Sequence, residues 1–230
     1  MKKYKHLFFD LDRTLWDYKS NVREVLKDIY DKYNLRGYSI DFEIFLNVFD
    51  RYNELLWTKF RKGQIKKEFL RDRRFYLTLK KLGVKDNDLS IKCSSDYIEL
   101  SPNKTNLFPD VIETLEYLKT KYRLHIITNG FNEVQFRKLK NSGIKHFFEK
   151  VVTSDNAGSQ KPNMKIFEYA LTSVNARKNE SLMIGDDWEI DIMGAKGYGF
   201  DQVYFNPDKI AYSEKPTIEI TSIGELKKIL

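Results

Sequence analysis

The order of apolar and polar positions changes character twice along the 230-residue chain. The run Leu7, Phe8 and Phe9 is too short for a helix and rich in β-forming aromatic residues, which predicts a buried first strand. Apolar residues then recur at helical spacing through residues 17–103. From Phe108 onward, short apolar runs alternate with amphipathic stretches, which predicts strands separated by helices.

The long helical stretch predicts four consecutive helices. Gly63 ends the second of them and Gly83 ends the third. An all-helical block of this kind has too few partners to extend a sheet. We therefore predict an α-helical cap domain at residues 17–103, inserted into a core domain that consists of residues 1–16 and 104–230.

Strands and helices alternate through the rest of the predicted core domain. The predicted strands contain residues 124–127, 148–152, 182–184, 202–205 and 218–220. The predicted helices are residues 111–121, 133–141, 164–174 and 190–196, with residues 154–162 as a loop. Such alternation implies right-handed crossovers. The expected fold class is therefore α/β, with a doubly wound, mostly parallel sheet and an inserted helical cap.

Polar side chains follow the points where the predicted strands end. Carboxylates are costly to bury unless they are paired, hydrogen-bonded or bound to a metal. Because parallel strands end at the same edge of a sheet, these side chains can converge on one cleft. The candidates are Asp10, Asp12 and Thr14 after the first strand, Thr128, Asn129 and Gly130 after the second, Lys161 in a loop, and Asp186, Asp187 and Asp191 after the fourth.

These residue types suit phosphoryl transfer. One carboxylate can attack phosphorus and form an aspartyl phosphate. A second carboxylate can protonate the leaving oxygen and then take a proton from water. Clustered carboxylates bind a hard cation such as Mg²⁺, while a lysine, a threonine and backbone N–H groups stabilise charge on the transferring group. The sequence therefore predicts a Mg²⁺-assisted phosphoryl-transfer site.

The motifs DxDxT, TNG, KP and GDDxxxD occur in this order and span essentially the whole chain. Together they resemble the haloacid dehalogenase superfamily of phosphatases. The resemblance implies Asp10 as nucleophile, Asp12 as general acid and base, and Mg²⁺ held by Asp10, the Asp12 carbonyl and Asp186. Asp187 would orient the lysine or a metal-bound water, and Asp191 would support that loop. The implied phosphate-binding residues are Thr14, Thr128, Asn129, Gly130 and Lys161.

Flanking residues are most similar to the pyrimidine 5′-nucleotidase-like branch of that superfamily. The similar segments are FDLDRTLW, TNG, GSQKPNMKIF and GDDWEIDIMGAKGYG. Arg13 departs from the pattern, since many relatives have glycine there, and it adds charge near the entry to the cap. The resemblance implies hydrolysis of pyrimidine nucleoside monophosphates. The alternative is broad hydrolysis of small phosphate esters such as sugar phosphates or phosphoglycolate.

Three other activities fit the sequence less well. Haloacid dehalogenases need no Mg²⁺ and lack the second aspartate, so Asp12 together with Asp186 argues against that chemistry. A sugar-phosphate mutase would usually carry a first motif without Thr14. Nucleic-acid binding would use the basic segment 59–74 of this chain, whose net charge is +7. The basic residues there fall all around a helix and are interrupted by acidic ones, which favours a solvated surface.

The remaining composition constrains location and cysteine chemistry. The single cysteine, Cys93, excludes an internal disulfide framework. The chain shows neither a signal-peptide pattern nor an apolar run long enough to span a membrane, so we expect a cytoplasmic enzyme, monomeric or homodimeric. We interpret His6, His125 and His146 as structural residues, because no acidic or cysteine partner lies near them in sequence.

Overall fold

The computed structural model, which describes residues 4–230, is built around a parallel sheet. Six strands are hydrogen-bonded in the order β3-β2-β1-β4-β5-β6, and every pair of neighbours is parallel. The strands are β1 His6–Phe9, β2 Arg123–Thr128, β3 Phe148–Thr153, β4 Ser181–Gly185, β5 Asp201–Phe205 and β6 Ile218–Ile220. The predicted α/β fold with a parallel sheet is confirmed, and β1 lies between β2 and β4.

The helices lie between and after these strands. They are α1 Tyr18–Lys32, α2 Phe42–Arg61, α3 Lys67–Lys81, α4 Asn87–Leu100, α5 Val111–Lys119, α6 Asn132–Asn141, α7 Ser154–Ala157, α8 Met164–Ser173, α9 Gly194–Tyr198 and α10 Leu226–Ile229. None of the helices between residues 4 and 230 combines the length and the apolar character that a membrane-spanning helix needs.

The chain divides into two compact units. The core unit comprises the described residues up to Tyr18 together with Thr105–Leu230, and it contains the sheet. The helical unit is Lys19–Lys104. Hydrogen bonds also pair the core-unit residues next to the two ends of the helical unit. Phe108 N–H donates to Leu15 O at 3.0 Å, and Asp17 N–H donates to Asn106 O at 3.0 Å.

Alternate side chains of β1 are buried on opposite faces of the sheet. Leu7 and Phe9 belong to one apolar cluster, which includes Leu115 of α5. Phe8 belongs to a second cluster, which includes Phe167 of α8. Because helices cover both faces, β1 has no solvated side, which explains its apolar run Leu7, Phe8 and Phe9. This is the doubly wound arrangement that the alternation of elements predicts.

The helical unit has an aromatic core of its own. Phe49 of α2 packs against Phe75 of α3 with ring centroids 5.0 Å apart, and against Tyr97 of α4 at 5.3 Å. Asp41 begins α2, because its carboxylate accepts hydrogen bonds from the N–H groups of Glu43 and Ile44. The aromatic residues at helical spacing therefore account for the packing of α2, α3 and α4.

Two predicted elements differ in the structure. The predicted loop 154–162 begins with the short helix α7, whose first turn is capped because Thr153 Oγ1 accepts a hydrogen bond from Asn156 N–H. The predicted helix 190–196 is instead a π-helical turn, Trp188–Met193, followed by α9. The C-terminal helix α10 was not predicted, since only four residues form it.

Two of the three histidines form a buried pair. His6 of β1 and His125 of β2 lie on neighbouring strands, and His6 Nδ1 is 3.0 Å from His125 Nε2. Their rings stack with centroids 5.3 Å apart, and the His125 ring is 4.8 Å from that of Phe8. Burial lowers the pKa of both imidazoles, that of His125 to about 4. Both rings therefore serve packing as neutral groups.

Candidate active site

Register between the strands brings the predicted site residues to one edge of the sheet. Phe9 pairs with Ile126 of β2 and with Ile184 of β4, so the residues that follow all three strands emerge together. Asp10 N–H extends the ladder by one step, donating to Ile184 O at 2.9 Å. The edge that receives Asp10 therefore also receives the ends of β2 and β4.

Lys161 is the buried cation of this site. Its Nζ lies 2.5 Å from Asp10 Oδ1 and 2.6 Å from Asp191 Oδ1, and it also donates to Ile127 O at 2.8 Å. The side chain is 1% exposed. Although burial lowers the pKa of Lys161, the charges of Asp10 and Asp191 outweigh it and raise that pKa above its ordinary value. The ammonium is therefore a permanent positive charge.

Three carboxylates form a cluster here, and two of them contact the Lys161 ammonium. Asp10, Asp186 and Asp191 each offer an oxygen, and the three oxygens lie within 4.8 Å of one another. Burial is the main influence on Asp10 and raises its pKa to about 7, although Lys161 opposes that rise. Burial, followed by the charges of Asp191 and Asp10, raises the pKa of Asp186 well above its usual range. When all three carboxylates are ionised, they therefore carry more negative charge than the Lys161 ammonium offsets.

A divalent cation would supply that missing charge. Hard cations such as Mg²⁺ prefer carboxylate oxygens, and the cluster of Asp10, Asp186 and Asp191 supplies three. The residues present therefore fit the ion. The resemblance implies Asp10, Asp186 and the Asp12 carbonyl as ligands, whereas the third side chain in the cluster is that of Asp191. The role of the Asp12 carbonyl stays a prediction.

Several predicted phosphate-binding residues contact other site residues. Thr14 is fully buried, and its hydroxyl donates to Asp186 Oδ1 at 3.0 Å. Asn129 holds the backbone of Lys161 on both sides: its Nδ2 donates to Lys161 O at 2.9 Å, and its Oδ1 accepts from Lys161 N–H at 2.7 Å. Thr128 Oγ1 accepts a hydrogen bond from Gly130 N–H at 3.1 Å. These contacts fix the positions of Asp186, Lys161 and the strand end.

Asp187 and Asp191 lie in the turn after β4 and have different partners. The carboxylate of Asp187 accepts hydrogen bonds from the N–H groups of Glu189 and Ile190, so it caps the π-helical turn. The carboxylate beside Lys161 is that of Asp191. Asp191 also accepts from Asp187 N–H at 3.2 Å. The contact with Lys161, one of the two roles predicted for Asp187, is made by Asp191, because the turn directs Asp191 back toward the sheet. The other predicted role of Asp187, orienting a metal-bound water, stays a prediction.

Asp12 lies outside the acidic cluster and has two partners that the sequence did not indicate. Lys138 Nζ is 2.5 Å from Asp12 Oδ1, and Gln135 Nε2 donates to Asp12 Oδ2 at 2.8 Å. Both partners are on α6, whose buried residues are Gln135, Lys138 and Leu139. A helix normally places apolar residues at such a stripe. The sequence carried no distinct signal for this contact, because polar residues on a lysine-rich helix also fit a solvated surface.

Comparison with known families identifies the chain. A family model described as haloacid dehalogenase-like hydrolase matches residues 7–205, from β1 to the end of β5. The chain belongs to the haloacid dehalogenase-like hydrolases. The family resemblance predicted from the four motifs is therefore confirmed, and the chain is a hydrolase.

Relatives of similar length carry several names within this hydrolase family. The pyrimidine 5′-nucleotidase YjjG of Escherichia coli is 29% identical over 235 residues, which cover 99% of this chain and 98% of YjjG. The glyceraldehyde 3-phosphate phosphatase of Pyrococcus furiosus is 30% identical over 239 residues, which cover 100% and 94% of the two chains. Nucleotide and sugar phosphatases are thus about equally similar to this hydrolase.

Solved structures of the family share its fold. The HAD-hydrolase YfnB of Bacillus subtilis, in a crystal structure described as bound to magnesium, superposes with a TM-score of 0.89 at 26% identity and covers 99% of both chains. The L-2-haloacid dehalogenase of Xanthobacter autotrophicus superposes with a TM-score of 0.75 at 21% identity and covers 98% of both chains. The second likeness concerns the fold alone.

Proposed function

We propose that this hydrolase is a Mg²⁺-dependent phosphomonoesterase that acts through an aspartyl phosphate, with pyrimidine nucleoside monophosphates as its preferred substrates. The observation that carries the proposal is the different setting of two neighbouring carboxylates. Asp10 is buried beside Lys161 in the acidic cluster, whereas Asp12 is held apart from it by Lys138 and Gln135. Two carboxylates in two environments suit two chemical roles.

In the first step, an Asp10 carboxylate oxygen forms a bond to phosphorus while the bond from phosphorus to the ester oxygen breaks. Asp12 donates its proton to the departing oxygen, so the alcohol leaves neutral. In the second step, water attacks the phosphorus of the aspartyl phosphate and Asp12 accepts its proton. The acyl phosphate bond breaks, inorganic phosphate leaves, and the Asp10 carboxylate is restored.

Charge balance supports a cation-dependent reaction. Lys161 gives the site one fixed positive charge against the carboxylates of Asp10, Asp186 and Asp191, and the phosphate ester adds further negative charge. When bound at this cluster, Mg²⁺ supplies charge neutralisation and favours the ionised form of Asp10. Thr14 holds Asp186 in place through its hydroxyl, so it helps to position one of the carboxylates that would hold the ion.

The substrate proposal draws on relatives and on flanking sequence. YjjG and the PynA protein of Streptococcus pneumoniae are both named pyrimidine 5′-nucleotidases, and the latter is 26% identical over 227 residues. The glyceraldehyde 3-phosphate phosphatases supply the second candidate, a small sugar-phosphate hydrolase. Both candidates use the same phosphoryl chemistry and differ only in the alcohol that leaves.

Phosphate release from a panel of esters tests chemistry and substrate together. The panel contains p-nitrophenyl phosphate, UMP, dUMP, dTMP, purine nucleotides, glyceraldehyde 3-phosphate and phosphoglycolate, each assayed with Mg²⁺ and with a chelator. We expect metal-dependent release that is fastest with the pyrimidine nucleotides. Fastest release from a sugar phosphate would replace the nucleotidase proposal, and release unaffected by the chelator would contradict the Mg²⁺ requirement.

A pair of variants links turnover to the proposed nucleophile. Asp10→Asn should abolish turnover while the folded structure persists, because an amide oxygen is a poor nucleophile toward phosphorus. Asp208→Asn is the matched control, since it makes the same chemical change at an exposed position of the core unit. Full turnover by a folded Asp10→Asn protein would exclude the aspartyl-phosphate mechanism.

A further inference from the structure

Each oxygen of the Asp12 carboxylate has its own donor. Lys138 Nζ contacts Oδ1 at 2.5 Å and Gln135 Nε2 contacts Oδ2 at 2.8 Å. With one donor, the carboxylate could still rotate about its Cβ–Cγ bond, whereas two donors fix the plane of the group. We name Gln135 and Lys138 together the carboxylate clamp.

The clamp is itself held firmly. The side chain of Lys138 is 7% exposed, and its ammonium lies 3.8 Å from the ring centroid of Trp16, which is 1% exposed. Gln135 is buried, and its Nε2 also donates to Thr128 Oγ1 at 2.7 Å. The amide of Gln135 packs so closely on Gly130 that a Cβ at that position would overlap it. Neither donor can move without displacing a buried neighbour.

Burying these two polar side chains costs free energy of folding. Gln135 and Lys138 occupy core-facing positions of α6 where apolar side chains would pack without desolvation cost. In the part of the chain that the structure describes, Gln135 Oε1 is buried without a hydrogen-bond partner, which adds to the cost. Because apolar side chains at such positions are often as stabilising as a buried ion pair, the contact of both residues with Asp12 points to a role in the reaction.

We propose that Lys138 and Gln135 are positioning residues that hold the Asp12 carboxylate in the orientation needed for proton transfer. The proposal rests on the proposed function, since it assigns Asp12 the proton-transfer role. Gln135 also links Asp12 to Thr128, so the clamp places the proton-transfer group at a fixed distance from the end of β2. Asp10, Lys161 and the acidic cluster have no part in it.

Loss of the clamp should therefore slow proton transfer without weakening substrate binding. An alkyl phosphate needs a proton on its leaving oxygen, whereas p-nitrophenolate leaves as a stable anion. With Lys138→Met we expect kcat/KM for the best alkyl ester of the panel to fall about 10-fold to 100-fold, the cost of a misplaced catalytic group. The fall for p-nitrophenyl phosphate should be less than about threefold.

Lys140→Met is the matched control. Lys140 is exposed on the same helix, so its replacement removes the same charge without touching Asp12. A pre-steady-state burst of p-nitrophenolate from Lys138→Met would further support the proposal, because Asp12 must still accept a proton from water in the second step. Equal falls for both classes of ester would overturn it, since general damage to the site does not depend on the leaving group.

A crystal structure of Lys138→Met gives a readout independent of turnover. We expect the Asp12 carboxylate to rotate or to occupy two conformers there, while wild type shows one. An unchanged Asp12 orientation would overturn the clamp even if the enzyme is active. If wild type hydrolyses none of the esters, the proposed function fails, whereas the orientation of Asp12 in the two crystals still decides whether Lys138 positions it.

Discussion

The buried pair of His6 and His125 predicts how the stability of the core unit depends on pH. Burial is the main cause of the lowered pKa of His125, and the nearby His6 lowers it further, to about 4. A protonated His125 ring carries an N–H on both nitrogens. The Nδ1 of this ring has no hydrogen-bond partner among residues 4–230 to accept from that N–H. Protonation of His125 should therefore favour the unfolded chain.

The size of the effect follows from the two pKa values. Between the unfolded value of 6.5 and the folded value of about 4, the unfolded chain binds more protons, so stability is full above the first value and falls as the pH falls. At about 1.4 kcal/mol per pKa unit, the loss reaches about 3 kcal/mol at pH 4. About 2 kcal/mol of it is already lost at pH 5.

Buried aspartates change the stability in the opposite direction as the pH falls. The effect of His125 must therefore be measured as the difference between wild type and a variant. The pKa of Asp10 is raised to about 7 in the folded state, and its protonation stabilises the fold as the pH falls. Wild type and His125→Leu share this contribution but differ in the imidazole. The difference between the two proteins therefore isolates His125 from the rest of the titration.

Urea unfolding at pH 7.5 and pH 5 measures that difference. We expect the free energy of unfolding of wild type to fall by about 2 kcal/mol more than that of His125→Leu across this interval. His125→Leu should be the less stable protein at pH 7.5, because it leaves His6 Nδ1 without its partner. Parallel pH profiles for the two proteins would refute the assignment of a neutral buried imidazole.

Two substitutions at the site complete the predictions. Lys161→Met should abolish turnover and destabilise the protein by about 3 to 5 kcal/mol, because it leaves Asp10 and Asp191 buried without their cation. Thermal unfolding measures the loss of stability, and an unchanged melting temperature would contradict it. Gly130→Ala should lower kcat with little change in KM, because the new Cβ displaces the Gln135 amide. Steady-state kinetics measures kcat and KM, and circular dichroism checks that the variant is folded. A wild-type kcat would contradict the close contact between Gly130 and Gln135.

Sequence alone predicted the part of the site that strand topology determines. An apolar run followed directly by Asp10 indicated a buried first strand, because a strand covered on both faces has no solvated side. Parallel strands then place Asp10, Thr128 and Asp186 at one edge, whatever the loops do. The structure brings these residues and Lys161 together, as expected from the order of the motifs.

Contacts that depend on helix rotation and turn shape were beyond such reasoning. Gln135 and Lys138 reach Asp12 because α6 turns this face inward, and two polar residues on a lysine-rich helix look like a solvated surface. The partners of Asp187 and Asp191 depend on a π-helical turn, whose wider spacing no local pattern in GDDWEID indicates. At both places the sequence did not indicate where the side chains point.

Pairing between the residues that flank the helical unit has a consequence for how such enzymes diversify. Leu15 and Phe108, like Asp17 and Asn106, are hydrogen-bonded inside the core unit, so the two attachment points are fixed by the core itself. The entropy of closing a loop between fixed points grows only slowly with its length. Segments of very different size can therefore be exchanged at this position in evolution, while the core unit and the candidate site within it are inherited intact.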